Sequence, residues 1–415
     1  MLTIYYKNCC GIDVHKKMLV ATMAITDERN VTTYETKQFS TFTKDIIKLK
    51  EWLISNNCKD VCMESTGKYW IPIFNVLEDT CKVVITHPKY VRSIPGNKTD
   101  KKDSVWISDI FKHGLVNPSF MPSADIRQLR DLMRYRFKLL NCRTGEKNRF
   151  QNSLTMSNIQ IANIVSDTFG KSAQSVLSLI LSKKDTVTIE EITPLLHKRM
   201  KASPQDVLDS IQGNLSNEQN AKMKICLTHF ENINQRIEEL ENAILPLTAK
   251  YQNEIKLILT VPGVGDISAI YILSEIGPDM CAFKSANHLS SWAGLTPQSN
   301  ESAGKKKSVK ISRAGVYIKP LLIQCANAAI KDKDCEYFKL RYEAIKKRRG
   351  HKRAIIAIAR MLLTCIYHML LKNEPFNNEL YKEFTNSNFK SKTTKLNINN
   401  AIKYLEKQGF SVKQA

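Results

Sequence analysis

Four carboxylates occupy positions where a metal-dependent reaction could use them. Asp13 lies within one apolar run and Glu64 ends another, while Asp100 and Asp103 are three residues apart in a predicted helix. Residues at that spacing project from one helix face. Clustered carboxylates raise each other's pKa unless a cation lies between them. Mg²⁺ or Mn²⁺ would relieve the repulsion, and two such ions can clamp the attacking and leaving oxygens of a phosphodiester.

The alternative is that these are ordinary surface acids. It is less favoured because Asp13 and Glu64 interrupt strands that are otherwise apolar. His15 could join the same site, but a single histidine near a strand end more often has a structural role. The sequence therefore predicts a divalent-metal site made from Asp13, Glu64, Asp100 and Asp103.

The first ~115 residues must position these acids, and they alternate strand and helix patterns. The predicted strands are Cys9–Val14, Met18–Ile25, Val31–Ser40, Asp60–Glu64 and Lys82–Thr86. The predicted helices are Phe42–Asn56, Trp70–Leu77 and Thr99–His113. Three strands followed by alternating helices and strands predict a mixed sheet with helices packed against it. With acids at these points, the order suggests an α/β, RNase H-like or RuvC-like nuclease domain over residues 1–120.

A long basic helix is predicted at Ala124–Leu154, in a region of coiled-coil character over residues 121–250. Four cations lie roughly opposite its apolar stripe; they are Arg127, Arg130, Arg134 and Lys138. Such a face can simply be solvated. Because the charges on this face are nearly all positive, contact with nucleic acid is favoured instead.

A second long helix, at Lys222–Leu247, has an a/d heptad pattern. Its apolar residues step by three and four; they are Met223, Cys226, Phe230, Ile233, Ile237, Leu240, Ile244 and Leu247. A coiled coil over residues 223–247 that joins subunits into a dimer or tetramer is the favoured interpretation. A helix packed within a bundle of the same chain is the alternative.

The segment Val261–Gly265 connects two helical patterns in a mostly α-helical C-terminal domain, predicted over residues 251–375. Gly263 and Gly265 permit a tight turn whose amides bind phosphate at a helix N-terminus, as in a helix-hairpin-helix. A plain helix–helix corner is the alternative. Residues 376–415 form a tail rich in Asn and Lys, to which no function is assigned.

Ser302 lies beside a glycine and three lysines, Lys305, Lys306 and Lys307. A serine there is a plausible nucleophile towards phosphorus, because lysines and amides can stabilise the charges that develop. Serines in such loops are common, so the residues alone indicate this role only weakly. The wider stretch 301–360 carries a net charge of +12.

Composition limits the partners of the 415-residue chain. Its formal net charge is +22, which indicates a polyanionic partner, either nucleic acid or an anionic membrane. The apolar run Ala354–Leu371 contains Arg360, which favours a buried helix over a membrane span. The eleven cysteines include no Cys-x-x-Cys pair, so they are expected to be buried thiols. Without a signal-peptide pattern, the expected location is the cytoplasm.

Seven motifs in order resemble the DEDD transposases of insertion sequences, relatives of the pilin-gene DNA invertases. In the N-terminal half they are Gly11-Ile12-Asp13-Val14-His15-Lys16, Glu64-Ser65-Thr66-Gly67 and Lys98-Thr99-Asp100-Lys101-Lys102-Asp103. In the C-terminal half they are Pro262–Gly265, Gly294–Pro297, Ser302–Lys305 and Ile311–Gly315. The resemblance covers roughly residues 8–372. The chain departs from the pattern at Val309, where glycine is expected, and at Ile318-Lys319, where Leu-Arg is usual.

The resemblance implies that Asp13, Glu64, Asp100 and Asp103 bind metal and that Ser302 becomes covalently linked to DNA. It also implies that the two sites meet across subunits, and that a structured RNA encoded by the element bridges target and donor DNA. The expected function is transposition by cutting and rejoining DNA. The alternatives are a RuvC-like nuclease that hydrolyses DNA without a covalent intermediate, and a catalytically inactive nucleic-acid-binding protein.

Overall fold

The first part of the chain forms one mixed five-stranded sheet in the computed structural model. The model describes residues 3–65, 67–91, 100–183, 186–297, 300–302, 305–308 and 310–378. The strands are β1 (Asn8–Val14), β2 (Met18–Thr26), β3 (Thr32–Ser40), β4 (Asp60–Glu64) and β5 (Lys82–Thr86). Their order is β3-β2-β1-β4-β5, with β1–β3 antiparallel and β4 and β5 parallel to β1. The predicted mixed sheet is confirmed.

Helices cover both faces of this sheet. They are α1 (Thr43–Ser55), α2 (Trp70–Leu77), α3 (Pro88–Val91) and α4 (Asp100–Lys112). Ile12 and Met63 point into the core beneath α1 and α2, whereas Cys9 and Cys62 belong to the core on the α4 side. Because both faces are covered, β1 is buried along nearly its whole length.

Gly11 allows α4 to pack directly on β1. A Cβ at residue 11 would lie 2.3 Å from the backbone nitrogen of Ser108 and 2.7 Å from the carbonyl oxygen of Ser104. Real Cβ atoms do not approach backbone atoms so closely, so only glycine fits here. The Ser104 Oγ is also 2.7 Å from Thr22 Oγ1, which satisfies two buried hydroxyls at the same crossing.

The chain divides into two compact units, Met1–Met121 and Pro122–Ala415, and the second is mostly helical. Its helices are α5 (Ala124–Met156), α6 (Lys171–Ser182), α7 (Ile189–Ile192), α8 (Pro204–Ser210), α9 (Asn217–Thr248), α10 (Gln252–Leu259), α11 (Asp266–Ile276), α12 (Ala286–Trp292), α13 (Ile318–Ala329), α14 (Glu336–Arg349) and α15 (His351–Lys372). Its strands are β6 (Asn300–Ser302) and β7 (Lys305–Ser308). Short 3₁₀ segments are Ile161–Asn163, Thr193–Leu195, Ala249–Tyr251 and Met280–Ala282.

The two long helices α5 and α9 pack against each other in antiparallel directions. Arg136 Nε donates to Glu241 Oε1 at 2.6 Å, and Arg143 Nη1 donates to Asn234 Oδ1 at 3.0 Å. The heptad residues of α9 that are buried are Met223, Cys226, Ile233, Ile237 and Ile244. The seam predicted to join subunits is therefore already covered within the chain, and the bundle alternative describes these residues correctly. A homo-oligomer stays a prediction without an assigned interface.

The apolar run near the C-terminal end of the second unit lies in α15. By length and composition alone this helix could cross a membrane, but half of its most apolar window is buried. It packs against α10, α12, α13 and α14, as a core helix does. Of the eleven cysteines, none is in a disulfide and eight are buried. Burial raises the pKa of Cys9 to about 12, which is the behaviour of an inert structural thiol.

Candidate active site and nucleic-acid surfaces

Asp13 and Glu64 lie side by side at one edge of the N-terminal sheet. Ile12 pairs with Met63 across the parallel strands β1 and β4, so the next pair in register is Asp13 and Glu64. Neighbouring strands are about 4.8 Å apart, and partners in register point to the same face. That face is the one covered by α4, because Cys9 and Cys62, each an even number of residues away, belong to the core on that side.

Helix α4 brings the other two acids towards the same edge. Its later residue Lys112 accepts backbone hydrogen bonds from Tyr5 and Tyr6, and Ser104 and Ser108 lie against Gly11. The helix therefore runs antiparallel to β1, and its N-terminal turn lies towards the carboxyl end of that strand. Asp100 begins this turn and Asp103 follows it, so the backbone of both residues lies towards the end of the sheet at which Asp13 and Glu64 lie.

The described side chains at this edge do not by themselves make up a metal site. Asp13 is 8% exposed, and its Oδ2 lies 3.1 Å from His15 Nε2. Within the described residues no three of His, Cys, Asp and Glu are grouped so that they could hold a metal ion, and Asp100 is described by its backbone alone. Carboxylate oxygens at a strand edge nevertheless suit a hard divalent cation. Thr66, Lys98 and Thr99 of the two motifs lie outside the described residues.

For His15 the sequence left open a place in the site and a structural role, and its contact with Asp13 is compatible with both. A further set of residues escaped the sequence prediction: Gly11, Ser104 and Ser108, which set the depth of α4 over the strand. A signal for them exists in the sequence. Two serines four residues apart on an otherwise large-residue helix match a glycine in the facing strand, and small residues on both sides allow close packing.

Ser302 lies on a short antiparallel hairpin in the second unit. Ser302 pairs with Lys305 and Glu301 pairs with Lys306 across β6 and β7. Directly opposite residues share a face of a sheet, so Ser302 and Lys305 lie on one face and Lys306 on the other. Lys307 lies further along β7. Only the backbones of these residues are described, and residues 303, 304 and 309 lie outside the described part of the chain.

The two glycines of the 261–265 turn differ in their surroundings. Gly263 has φ +79°, and a Cβ there would lie 2.4 Å from the Ala329 nitrogen and the Cys325 carbonyl oxygen on α13. Gly263 is therefore required by packing. Gly265 is the N-cap of α11, and an added Cβ would meet no atom within 4 Å. The open side of this turn is at Gly265, where a phosphate could approach the helix N-terminus.

Two of the four cations predicted to contact nucleic acid on α5 bind to another helix of the second unit. Arg130 donates from Nε to the Ser274 carbonyl at 2.9 Å and from Nη2 to the Glu275 carbonyl at 2.7 Å. Arg134 binds both carboxylate oxygens of Glu275, at 2.7 and 2.8 Å, and its guanidinium lies 4.5 Å from the Tyr317 ring centroid. Both arginines hold the C-terminal end of α11, where cations are favoured.

Charge and burial explain this internal arrangement. Glu275 is 2% exposed, and an isolated carboxylate there would be costly. Burial lowers the pKa of Arg130 to about 10, so it still carries its charge at pH 7. Burial also lowers the pKa of Arg134, but its hydrogen bonds with Glu275 outweigh that effect and the net shift is upward. Arg127 Nη1 donates to the Pro122 carbonyl at 2.9 Å, whereas Lys138 is exposed.

Two family models match the chain in the order that the motifs suggested. A transposase model of the DEDD type matches residues 10–159, and a model described as the IS116/IS110/IS902 transposase family matches residues 255–343. Together they define a two-part transposase, with the acid edge in the first part and the Ser302 hairpin in the second. The chain belongs to this family of insertion-sequence transposases.

Curated relatives agree with this assignment. The transposase of insertion sequence element IS1111A from Coxiella burnetii is 24% identical over 76% of this chain and 79% of its own length. The pilin gene-inverting protein of Moraxella bovis is 31% identical over 35% of this chain. The match covers 47% of that relative, so the chain spans about half its length there.

A solved structure of fowlpox virus resolvase with Holliday junction DNA was also found. It has a TM-score of 0.19 and 18% identity, over 25% of this chain and 72% of that one. A similarity of this size carries no argument about the present chain.

Proposed function

We propose that the protein is a metal-dependent DNA transposase that cuts and rejoins DNA strands to move an insertion sequence. The observation that carries the proposal is the placement of the acids. Asp13 and Glu64 are adjacent in register, and α4 presents its first turn, with Asp100 and Asp103, towards the same sheet edge. The strand order β3-β2-β1-β4-β5 is also that of RNase H-like nucleases, which supports the nuclease assignment.

The residues proposed to hold Mg²⁺ or Mn²⁺ are Asp13, Glu64, Asp100 and Asp103. Such an ion, when bound, would stabilise negative charge on the phosphodiester oxygens. Asp13 is more enclosed than Glu64 or Asp103, and its contact with His15 fixes the direction of one carboxylate oxygen. The first turn of α4 contributes the two further acids, Asp100 and Asp103.

Ser302 is proposed as the nucleophile towards DNA. Its hydroxyl loses a proton, its Oγ forms a bond to phosphorus, and the bond from phosphorus to one DNA oxygen breaks while that oxygen takes up a proton. The new bond is again a phosphate ester, so a DNA hydroxyl can reverse the step without ATP. A serine hydroxyl needs activation, and Lys305, paired directly with Ser302 on the hairpin, is the neighbour that can favour its anion.

A structured guide RNA, homo-oligomer formation and a cytoplasmic location also belong to the proposal. The resemblance to the family supports the first two, and the net charge of +22 supports a nucleic-acid partner. Gly265 and the three lysines Lys305, Lys306 and Lys307 are retained as candidate contacts to DNA or RNA, as is the exposed Lys138.

Removal of single acids tests the metal site. Asp13→Ala or Asp103→Ala should abolish strand cleavage in Mg²⁺, because too few oxygen ligands remain. Neither change should lower the melting temperature, since each also removes like-charge repulsion. Glu35→Gln is the matched control, because Glu35 is a half-exposed acid of the same sheet paired with Lys37. Cleavage at the parental rate by Asp13→Ala or Asp103→Ala would contradict the proposed metal site.

A further inference from the structure

A large basic cavity lies between α14, α15 and the base of the β6–β7 hairpin. Its volume is about 1130 Å³. Of the described residues that line it, six are Lys or Arg and none is acidic; the cations are Lys310, Arg341, Arg349, Lys352, Arg353 and Arg360. A phosphate ion alone would fill little of this volume, which is in the range of pockets for larger ligands.

The cations surround an apolar interior rather than a polar one. Ile356, Ala357 and Met361 line the cavity on the α15 side, and Tyr337 lines it on the α14 side. An apolar wall with an aromatic ring suits the flat face of a nucleobase, and stacking on an aromatic ring contributes about 1–3 kcal/mol per base. The rim and the interior together match the two halves of a nucleotide, which are a phosphate and a base.

The rim includes a helix N-terminus that carries cations. The first turn of α15 contains His351, Lys352 and Arg353 and no acid, although cations are disfavoured at a helix N-terminus. A phosphate bound beside Lys352 and Arg353, which line the cavity, would stabilise this arrangement.

The concentration of charge around the junction of α14 and α15 is high. In the segment 346–353, six of the eight residues are Lys or Arg. Gly350 joins the two helices, and an added Cβ there would meet no atom within 4 Å, so the backbone is open to a ligand. Like charges held this close repel one another, and a polyanion relieves the repulsion.

The cavity is linked along the chain to Ser302. Pro297 and Ile311 both line it, and they form an antiparallel bridge at the base of the hairpin. Ser302 is the fifth residue after Pro297, and an extended chain spans at most about 3.3–3.6 Å per residue. Ser302 therefore lies within about 18 Å of the cavity wall. This distance is short enough for one DNA strand to reach both places.

We propose that this cavity binds an unpaired nucleotide of the DNA strand that Ser302 attacks. The base enters the apolar interior beside Tyr337, and the flanking phosphates bind the rim formed by Arg341, Arg349 and Arg353. A paired base cannot enter, because its edge and faces are covered by the duplex. The choice of DNA over RNA rests on the proposed function of Ser302.

The first test compares two double variants for binding of a fluorescent octamer of thymidylate, without Mg²⁺. Arg349→Gln with Arg353→Gln removes two cations of the rim and should weaken binding about tenfold or more. Lys347→Gln with Arg348→Gln removes the same charge from the same segment, 346–353, but outside the cavity lining. This control should weaken binding less than threefold. Equal losses in the two variants would overturn the proposal and leave a diffuse basic patch.

The second test addresses the interior and does not depend on the rim. An octamer with abasic sites carries the same charge, and it should bind the parent several-fold more weakly than the thymidylate octamer. Ala357→Leu fills the interior and should remove that difference. Equal binding of the two octamers by the parent, or an unchanged difference in Ala357→Leu, contradicts a base-binding cavity. An octamer of RNA bound more tightly than DNA would overturn the choice of strand.

Neither measurement involves cleavage. A failure here leaves the metal site and Ser302 untouched, whereas a failure of the proposed function would appear as lost cleavage with these affinities unchanged.

Discussion

Two arginine-rich helical regions of the second unit have opposite roles. On α5, Arg130 and Arg134 point inward and hold the end of α11 through Glu275 and two carbonyls. In segment 346–353, Arg349 and Arg353 are exposed beside a cavity that no acid lines among the described residues. In the sequence both regions appear as rows of cations near apolar residues. The two regions differ because the arginines of α5 have a buried carboxylate, that of Glu275, within reach.

The comparison shows that the sign of the charge on a helix face does not identify what that face binds. Glu275 is 141 residues from Arg134 in sequence, and nothing in its local pattern indicates that it will be buried. Once the fold buries it, the carboxylate needs a cation, and a bidentate arginine is the strongest partner available. The charge of Arg134 is therefore neutralised within the second unit, and Arg130 is held beside it by two backbone carbonyls. Those of segment 346–353 keep their charge available for an external anion.

Truncation of an arginine should separate the two regions most clearly. Arg134→Ala leaves the Glu275 carboxylate buried without its partner and should lower the free energy of unfolding by about 3 kcal/mol. Lys138→Ala, an exposed cation of the same helix, should change it by less than about 0.5 kcal/mol. Arg349→Ala should also fall within that range. Urea denaturation measures all three, and equal effects of Arg134→Ala and Arg349→Ala would erase the distinction.

A smaller effect is expected at the start of α5, where Asp125 forms another ion pair within the second unit. Asp125 Oδ2 accepts hydrogen bonds from Lys250 Nζ at 2.7 Å and Tyr251 OH at 2.6 Å. The hydrogen bond from Lys250 lowers the pKa of Asp125 most, with further lowering from Ser123 and Tyr251. Because the folded-state pKa lies below the unfolded value, the stabilisation is present above about pH 4 and is lost as the pH falls through the folded pKa.

Asp125→Asn should therefore cost about 1 kcal/mol at pH 7, a value kept modest because the pair is partly exposed. The difference in stability between the parent and the variant should narrow steadily as the pH is lowered from 4 to 2. Lys138→Ala serves again as control, with a difference from the parent that does not vary with pH. A difference between the parent and Asp125→Asn that does not narrow over this range would show that charge is not its cause.

Much of the N-terminal fold was predictable because local patterns determine it. Asp60–Glu64, Lys82–Thr86 and Trp70–Leu77 have the predicted boundaries. Each is a short apolar element that lies between polar turns and is buried by its neighbours, so the local pattern and the tertiary environment agree. The sequence also predicted that Asp13 and Glu64 converge at one edge of the sheet, and the parallel pairing of β1 with β4 places them next to each other.

The remaining features depend on contacts between residues far apart in sequence. The heptad pattern of α9 correctly indicated a seam but could not say whether its partner was another chain or α5. The depth of α4 over β1 depends on Gly11 meeting Ser108, which no periodicity reveals. The cavity draws its wall from residues 295 to 365, and only the folded chain brings them together.

The central claim is that this chain breaks DNA through a covalent bond to Ser302 and not by hydrolysis. The most direct measurement is to incubate labelled DNA with the protein in Mg²⁺, denature the mixture and look for label that migrates with the protein. The parent and Ser308→Ala, the matched serine of the same hairpin, should form the adduct. Ser302→Ala and Asp13→Ala should not. DNA cutting by Ser302→Ala at the parental rate, without any adduct, would contradict the claim and favour a hydrolytic nuclease.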